Sequence, residues 1–275
     1  MLPPGYERID VSGVSAFVWS PAREPVERAM REYGTLRDWA ASLPDRGALE
    51  GRGTVLAIDA PLPGPDGRPR WAVRHYLRGG AVAGLMGDRY MKTSRPRPHR
   101  ELHASCAVRR RGVPTPAVVA GSTYRAGPFH YRADLITELV PGAVDLAAAL
   151  FGEEGRAGRP DPSETLRAAG VLLGRTAAAG IRHPDLNAKN IVLETGTSPL
   201  LAHLIDLDRC QVRRSVRASD EHAMSARLHR SLLKHADRLG TALLDLAALE
   251  EGIEEGRAAP RGSAPRLRGP AGGAS

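Results

Sequence analysis

One stretch decides the fold of this 275-residue chain: His183-Pro184-Asp185-Leu186-Asn187-Ala188-Lys189-Asn190. It has the form H-x-D-L-x-x-x-N, and Ile205-Asp206-Leu207-Asp208 begins fifteen residues after Asn190. The pattern therefore combines an aspartate, an asparagine five residues later, and a second aspartate that ends an apolar run. This spacing is typical of sites that hold a magnesium-bound nucleotide beside a hydroxyl group.

Phosphoryl transfer explains these residue types, because it asks the protein for positioning and charge neutralisation rather than covalent chemistry. Asp185 is predicted to be the catalytic base that accepts the proton of the attacking hydroxyl. Asn190 and Asp206 offer the hard oxygen ligands that suit Mg²⁺. A surface loop with ordinary turn residues would explain a bare H-x-D, but not the whole combination. The sequence therefore predicts a kinase that uses ATP and Mg²⁺.

The elements predicted around this stretch fit the same interpretation. A helix is expected to begin at Asp161, an N-cap residue followed by proline, and to stop at Gly180. Two short strands are predicted over residues 191–193 and 201–205, with a turn between them. Asp206 is therefore expected at the end of a strand, beside the loop that carries the catalytic base.

Residues upstream supply a candidate phosphate-binding region. Gly51 and Gly53 lie in a short turn before an apolar strand, where backbone N–H groups can approach phosphates, although a plain hairpin turn is the alternative. Arg74, in the returning strand, is the cation available for the phosphates. Glu101 lies in a helix predicted over about residues 98–111, and we expect it to pair with Arg74 and hold it toward the phosphates. A solvated glutamate is the alternative.

Residues 137–142 end a strand and carry the predicted crossing between two lobes. Backbone groups of such a hinge bind adenine in kinases, so Glu138 and Val140 are assigned to the nucleotide. The predicted domains are an N-lobe over residues 1–139, a C-lobe over 140–255 and a tail over 256–275. The tail is expected to be disordered, because it contains almost no apolar bulk.

The amino-acid composition indicates which kinds of binding partner and which cellular compartment to expect. The chain has 39 Lys plus Arg against 31 Asp plus Glu, a net charge of +8. This excess favours an anionic partner such as a nucleotide, a lipid phosphate or a nucleic acid, although an arginine-rich coding bias also explains it. Cys106 and Cys210 lack metal-site spacing, as expected for free thiols in a reducing cytoplasm. No apolar run predicts a signal peptide or a membrane span.

A helix predicted over about residues 220–249 is amphipathic. Its apolar face comprises Met224, Leu228, Leu232, Leu239 and Leu243. Its other side carries a basic stripe of Arg227, Arg230, Lys234 and Arg238. Together with Arg213, Arg214 and Arg217, this stripe indicates either a solvated face or docking on an anionic membrane surface.

The chain resembles the lipopolysaccharide kinase family, and within it the 3-deoxy-D-manno-octulosonic acid (Kdo) kinase branch. The resemblance covers about residues 50 to 235. Its matching stretches are Arg74-His75-Tyr76-Leu77-Arg78-Gly79-Gly80, Asp88-Arg89-Tyr90, Gly112-Val113-Pro114-Thr115-Pro116, Tyr131-Arg132-Ala133-Asp134-Leu135-Ile136-Thr137-Glu138, His183 to Asn190, and Leu204-Ile205-Asp206-Leu207-Asp208-Arg209.

The resemblance implies an α+β, protein-kinase-like two-lobed fold, with a small β-rich N-lobe and a larger, mainly helical C-lobe. It implies transfer of the ATP γ-phosphate to the 4-hydroxyl of Kdo in Kdo–lipid A, in a Gram-negative cytoplasm at the inner-membrane surface. It carries over Asp185 as base, Asn190 and Asp206 as Mg²⁺ ligands, and Arg74 with Glu101 as the pair that positions the phosphates.

Departures from the protein-kinase pattern narrow the expected substrate. Arg74 replaces the usual lysine, Asp208 replaces the glycine of the metal triplet, and no A-P-E segment is present, so protein substrates are not expected. Lys189 is the candidate to replace the lysine missing at Asn187. The alternatives are a heptose kinase or another small-molecule phosphotransferase, a kinase-like scaffold, and a basic nucleic-acid binder. The intact Asp185 disfavours a scaffold, and no recognised nucleic-acid motif supports a binder.

Overall fold

The computed structural model describes residues 1–44, 47–49, 55–77, 88–152, 160–239 and 246–259. The chain divides into two compact units of similar length. The first consists of Met1–Cys106, Pro116–Ala143 and Ile205–Cys210, and the second of Ala107–Thr115, Val144–Leu204 and Gln211–Ser275. Compared with the predicted lobe ranges, residues 107–115, 140–143 and 205–210 each fall in the other unit.

An antiparallel sheet forms the core of the first unit. Its strands are β1 (Tyr6–Val11), β2 (Val14–Trp19), β3 (Gly47–Leu49), β4 (Val55–Asp59), β5 (Arg70–His75), β6 (Tyr90–Met91), β7 (Val118–Arg125) and β8 (His130–Glu138). Their order is β1-β2-β7-β8-β5-β4-β3, and β6 pairs with β8. The strands alternate in side-chain direction, so both faces of the sheet need cover.

Helices cover the two faces. α1 (Arg23–Tyr33) and α2 (Leu36–Ser42) pack on one face, where their residues form a cluster with Trp71 and Val73 of β5. α3 (Arg97–Arg110) brings Leu102 into a second cluster with Leu135 of β8. Arg74 pairs in register with Leu135. It follows directly after Val73, whose side chain faces α1 and α2. The alternation of β5 therefore directs Arg74 to the face of α3.

The second unit is mainly helical. Its helices are α4 (Leu146–Phe151), α5 (Pro162–Ala178), α6 (Ala218–Leu239) and α7 (Leu246–Ala258). The described part of this unit also contains two small sheets. One consists of β9 (Ala143–Asp145), β11 (Ile191–Glu194) and β12 (Leu201–Leu204). The other consists of β10 (Ile181–Arg182) and β13 (Gln211–Val212). The predicted α+β class is confirmed. None of the helices in the described ranges is long and apolar enough to span a membrane.

The local predictions around the catalytic loop are confirmed. The Asp161 carboxylate accepts hydrogen bonds from the N–H groups of Ser163 and Glu164 and thereby caps α5. Gly180 follows the end of α5 with φ +74°, a left-handed conformation that glycine adopts without strain. The two predicted strands are β11 and β12, paired from Ile191 opposite Leu204.

Arg111 explains why residues 107–115 belong to the second unit. Its Nη1 donates to the carbonyl oxygens of Ala179 at 2.6 Å and Arg213 at 2.5 Å. Carbonyl groups at the C-terminal end of a helix carry partial negative charge and have no partner within the helix. The cation just beyond α3 therefore caps α5.

The predicted helix over residues 220–249 overlaps α6, which ends at Leu239, and the start of α7 at Leu246, while residues 240–245 lie outside the described residues. Met224, Leu228 and Leu232 are buried in α6 as predicted, while Leu243 and the side chain of Leu239 lie outside the described residues. α7 extends to Ala258, two residues beyond the predicted start of the tail at Gly256. Residues 260–275 of the tail are outside the described ranges.

Glycines allow α5 and α7 to pack with their backbones in contact. A Cβ atom added at any of four glycines would overlap a carbonyl oxygen of the facing helix. The four pairs are Gly170 with Leu249, Gly174 with Ile253, Gly252 with Arg167, and Gly256 with Val171. The contact is therefore reciprocal, with a G-x-x-x-G spacing on both helices. Gly256 is buried here, which is why this part of the predicted tail is ordered.

Gly252→Ala tests this contact. Alanine favours an isolated helix over glycine by about 1 kcal/mol, but here its Cβ must push the two helices apart. We expect a net loss of about 1–3 kcal/mol in the free energy of unfolding, measured by urea denaturation. Glu251→Ala, at the exposed neighbouring position of α7, is the control and should leave stability unchanged or raised. Equal stability of both variants would contradict the close packing.

Candidate active site

Arg74 is the central cation of the first unit. Its Nη2 contacts both carboxylate oxygens of Glu101, at 2.8 and 2.6 Å. Its Nη1 lies 3.4 Å from Oδ1 of Asp206. The pair of Arg74 and Glu101 that the order of elements predicts is therefore formed. The same guanidinium also reaches the aspartate predicted to bind Mg²⁺.

The surroundings of Arg74 keep it charged. Burial disfavours the charged guanidinium, but the carboxylates of Glu101 and Asp206 outweigh it and raise the pKa of Arg74. Burial raises the pKa of Glu101, and the charge of Arg74 opposes this. Tyr76 donates its hydroxyl hydrogen bond to Oε2 of Glu101 at 2.5 Å, and its ring centroid lies 4.7 Å from Cζ of Arg74. Tyr76 thus fixes both members of the ion pair.

A second arginine lies beside the carboxylates at the end of β12. Arg97, the first residue of α3, donates from Nε to Oδ2 of Asp208 at 2.5 Å and from Nη1 to the Tyr90 hydroxyl at 2.9 Å. Its Nη2 is 4.0 Å from Oδ1 of Asp206. These contacts, with those of Arg74, explain why residues 205–210 belong to the first unit.

Asp206 has an uncommon backbone conformation. Its φ of 60° and ψ of 56° place it in the left-handed region, which aspartate tolerates better than most residues. The conformation separates the end of β12 from the short 3-10 turn Leu207–Arg209. It thereby sets the direction in which the Asp206 carboxylate leaves the chain.

The catalytic loop in the second unit is held by its own side chains. The backbone carbonyl of Asp185 accepts hydrogen bonds from Nδ2 of Asn187 at 2.7 Å and Nδ2 of Asn190 at 2.8 Å. His183 is buried, and its Nδ1 accepts from the Asp185 N–H at 3.2 Å. The histidine therefore supports the loop, and Asn190 is fixed beside the predicted base.

The Asp185 carboxylate has a cationic neighbour in the same unit. Its Oδ1 lies 3.3 Å from Nη1 of Arg227 on α6. Both side chains are about half-exposed, so the pair contributes little to stability. It does orient the carboxylate. Arg227 was predicted on the basic stripe of α6, where its contact with the base was not expected.

The Glu138 side chain is hydrogen-bonded within the first unit. Its side chain is buried, and Oε1 accepts from the N–H groups of Asp66 at 2.7 Å and Arg68 at 3.2 Å. Gly64 packs so closely on this carboxyl group that a Cβ at position 64 would overlap it. The side chain therefore fixes the turn between β4 and β5.

The backbone of the predicted hinge is partly engaged within the protein. The Glu138 N–H donates to the Ala117 carbonyl at 2.8 Å, and the Val140 carbonyl accepts from the Ala143 N–H at 3.2 Å. The Glu138 N–H and the Val140 carbonyl therefore already have hydrogen-bond partners.

The predicted site residues thus form one group in each unit. Arg74, Glu101 and Asp206 meet in the first unit, and Asp185 and Asn190 meet in the second. Gly51 and Gly53 lie outside the described residues.

Side chains that were not predicted as site residues also contact these groups, among them Tyr76, Arg97 and Arg227. Tyr76 follows Arg74 at alternate spacing in the extended segment, a pattern that places both on one face. Arg97 and Arg227 gave no such signal, because their partners are distant in the sequence.

Arg213, one of the cations predicted for membrane docking, forms hydrogen bonds within the second unit. Arg213 donates from Nη1 to Oδ2 of Asp220 at 2.8 Å and from Nη2 to the Gln211 side chain at 2.5 Å. Its carbonyl accepts from Arg111. Arg213 therefore has a structural position, whereas Arg214 and Arg217 are exposed.

These elements and charges indicate the class of protein to which the chain belongs. A strand arginine paired with a helix glutamate, a loop with aspartate and asparagine, and a further aspartate after the next strand pair are the parts of a protein-kinase-like phosphotransferase.

The chain is similar to several known proteins. A solved structure described as "WaaP in complex with acyl carrier protein" aligns with a TM-score of 0.49 at 20% identity, covering 84% of this chain and 87% of that one. The "3-deoxy-D-manno-octulosonic acid kinase" of Xanthomonas oryzae pv. oryzae is 34% identical over 226 residues, covering 81% of this chain and 82% of that protein. The protein of the same name from Mannheimia succiniciproducens is 32% identical over 196 residues, covering 70% and 77%.

The model of the Lipopolysaccharide kinase (Kdo/WaaP) family matches residues 47–251. With this match and these identities, the chain belongs to that family.

The buried Glu138 carboxyl predicts a pH-dependent stability. Burial raises the pKa of Glu138 to about 7, above that of an unfolded glutamate. The folded state therefore prefers the protonated form, and this contribution to stability is present at low pH and lost as the pH rises toward about 7. Glu138→Gln keeps an acceptor for both N–H groups but cannot ionise.

We expect Glu138→Gln to be more stable, relative to the wild type, at about pH 8 than at about pH 5, measured by urea denaturation. Glu32→Gln, at an exposed position of α1, is the control and should show no such change. A constant difference between Glu138→Gln and the wild type at the two pH values would contradict the raised pKa.

Proposed function

We propose that this protein is an ATP-dependent kinase that phosphorylates the 4-hydroxyl of Kdo in Kdo–lipid A during assembly of the lipopolysaccharide core. The observation that carries the proposal is Arg74, whose side chain is only 25% exposed and is held by Glu101 and Asp206. Phosphoryl transfer depends on a positive charge that is in place before the reaction, because fixed charges do not have to reorganise as the transition state forms. The named activity of the relatives supports the choice of Kdo as acceptor.

Asp185 is the proposed catalytic base. It accepts the proton of the attacking sugar hydroxyl as that oxygen bonds to phosphorus. Its backbone is fixed by Asn187 and Asn190, and its carboxylate is oriented by Arg227. A loop held in this way presents the carboxylate in one direction, which a proton transfer over hydrogen-bond distance requires.

The donor set fits a magnesium-bound nucleotide. When bound, Mg²⁺ neutralises the charge of the phosphates. Asp206 would provide a carboxylate oxygen to it, and Asn190 its Oδ1, since its Nδ2 already donates to Asp185. Arg74 and the N–H groups of Gly51 and Gly53 would contact the phosphates. The Glu138 carbonyl and the Val140 N–H would contact adenine.

A lipid acceptor places the enzyme at a membrane. We propose that it works in the cytoplasm as a peripheral protein on the inner-membrane surface, with an anionic bilayer and Kdo–lipid A as partners and without nucleic acid. The net charge of +8 supports attraction to such a surface.

The acceptor is tested by transfer of radiolabelled γ-phosphate from Mg·ATP, with Kdo–lipid A and a heptosylated core as separate acceptors. Label on the Kdo sugar is the expected result. Label on heptose alone would establish a heptose kinase of the same family instead. Absence of label on either sugar, with ATP still bound, would overturn the proposed acceptor.

Asp185→Ala should lower the turnover number in this assay by about 100- to 10,000-fold, the usual contribution of a general base. Binding of ATP, followed by equilibrium dialysis, should remain close to that of the wild type. Asp237→Ala, at an exposed position of α6, controls for loss of a carboxylate. Turnover within a few-fold of wild type would remove Asp185 from the mechanism.

Arg74→Lys should raise the KM for ATP by about tenfold, because lysine keeps the charge but lacks the planar fork that spans Glu101 and Asp206. Arg74→Met should be worse, since it also leaves the buried Glu101 without its cation. Steady-state kinetics with varied Mg·ATP measure both effects, and Arg28→Lys on α1 is the control. Wild-type kinetics for Arg74→Met would exclude phosphate positioning by this residue.

A further inference from the structure

The end of the β7–β8 hairpin, together with β6, forms a surface that phosphoryl transfer does not use. We call residues 89–92 and 125–132 the hairpin tip. Met91 pairs in register with His130, and the Lys92 N–H donates to the Phe129 carbonyl at 2.8 Å. Two segments distant in the sequence are thus joined through their backbones.

Two large apolar side chains project from the hairpin tip. Phe129 is 71% exposed and Met91 is 64% exposed. Tyr90 and Tyr131, their neighbours in the chain or sheet, are buried, with ring centroids 5.8 Å apart. Because side chains alternate along a strand, burial of Tyr90 directs Met91 outward. A single exposed apolar side chain is common on protein surfaces. Two large ones beside each other on one exposed segment are typical of an interaction site.

The hairpin tip is also basic. Its cations are Arg89, Lys92, Arg125 and Arg132. The sequence between residues 88 and 100, and between 125 and 133, contains one carboxylate, Asp88. Asp88 lies 2.7 Å from Arg132 and 3.1 Å from His75, so its charge is already balanced. The tip therefore combines exposed apolar groups with an excess of positive charge.

The hairpin tip is held in shape before any partner binds. The Lys92 Nζ donates to the Pro128 carbonyl at 2.8 Å, and the Ala126 N–H donates to the His130 carbonyl at 3.0 Å. Gly127 has φ +111°, which lets the chain turn tightly just before Phe129. A preformed projection loses little conformational entropy on binding.

We infer that the hairpin tip docks on an anionic lipid bilayer, with Phe129 and Met91 entering the headgroup region and the surrounding cations binding lipid phosphates. Apolar side chains beside Lys and Arg are the combination that an anionic bilayer interface accommodates, because it offers hydrocarbon and negative charge at adjacent depths. This step rests on the proposed function, since a lipid-linked acceptor is what favours a bilayer over an acidic protein.

Co-sedimentation of the full chain with vesicles tests the inference, without nucleotide or acceptor present. Vesicles of phosphatidylglycerol and phosphatidylethanolamine are compared with vesicles of phosphatidylcholine. The wild type should bind the anionic vesicles. Met91→Ser/Phe129→Ser should lower the partition coefficient by about tenfold or more, since two apolar anchors are removed. Both positions are exposed, so the fold should be unaffected.

Matched variants on α6 provide the controls. Leu233→Ser removes an apolar side chain that is 45% exposed there, and it should leave the partition coefficient unchanged. Lys92→Gln/Arg125→Gln should weaken both the preference for anionic vesicles and its dependence on salt. Arg230→Gln/Lys234→Gln removes the same charge from the basic stripe of α6 and should have the smaller effect.

Several outcomes would overturn the inference. They are wild-type binding by Met91→Ser/Phe129→Ser, an equal loss in Leu233→Ser, a larger loss in the α6 charge variant, and binding to an acidic protein but to no vesicle.

Phosphate transfer to a deacylated, water-soluble Kdo acceptor separates this inference from the proposed function. Met91→Ser/Phe129→Ser should retain that transfer. If vesicle binding follows the expected pattern while the wild type transfers no phosphate, the docking surface stands and the proposed function fails. If the wild type transfers phosphate and the double variant still binds vesicles normally, the proposed function stands and the docking surface fails.

Discussion

A largely buried guanidinium between two carboxylates is the interaction on which the first unit depends. Arg74 comes from the sheet, Glu101 from α3, and Asp206 from the segment that follows β12. Each partner alone would be a charge removed from water at high cost, so each stabilises the others. Removing one member of such a cluster typically costs about 3–5 kcal/mol. The groups assigned to the nucleotide are therefore also groups that hold the fold together.

This dependence explains why the chain does not divide at a single point. Residues 205–210 leave β12 and join the first unit because Asp206 and Asp208 bind Arg74 and Arg97. Residues 107–115 leave the first unit because Arg111 caps α5. A single boundary at the predicted hinge does not account for either exchange. In each case arginine side chains, matched to carboxylates or to helix carbonyls, connect a short segment to its unit.

Whether an interaction could be predicted from the sequence depends on how far apart its partners lie along the chain. The Asp161 cap and the β11–β12 pair depend on neighbours within a few residues, and both were predicted. The pair of Arg74 and Glu101 was predicted because the order of elements in kinases is fixed. The contact of Arg227 with Asp185 was not, because an exposed arginine on an amphipathic helix looks the same with or without such a partner. Glu138 was assigned to the nucleotide because its strand ends at the hinge, while the turn that captures its side chain leaves no sequence signal.

The glycine contact of α5 with α7 has a consequence for the order of events during synthesis. α5 leads directly into the loop that carries Asp185, and its glycine face is complete only when Leu246–Ala258 packs on it. On the ribosome, α5 and the loop emerge well before α7. The nascent chain therefore holds every proposed catalytic residue while the helix that supports the loop still exposes backbone. Final consolidation of the second unit must wait for α7, so this unit completes its folding only after residue 258 has been synthesised.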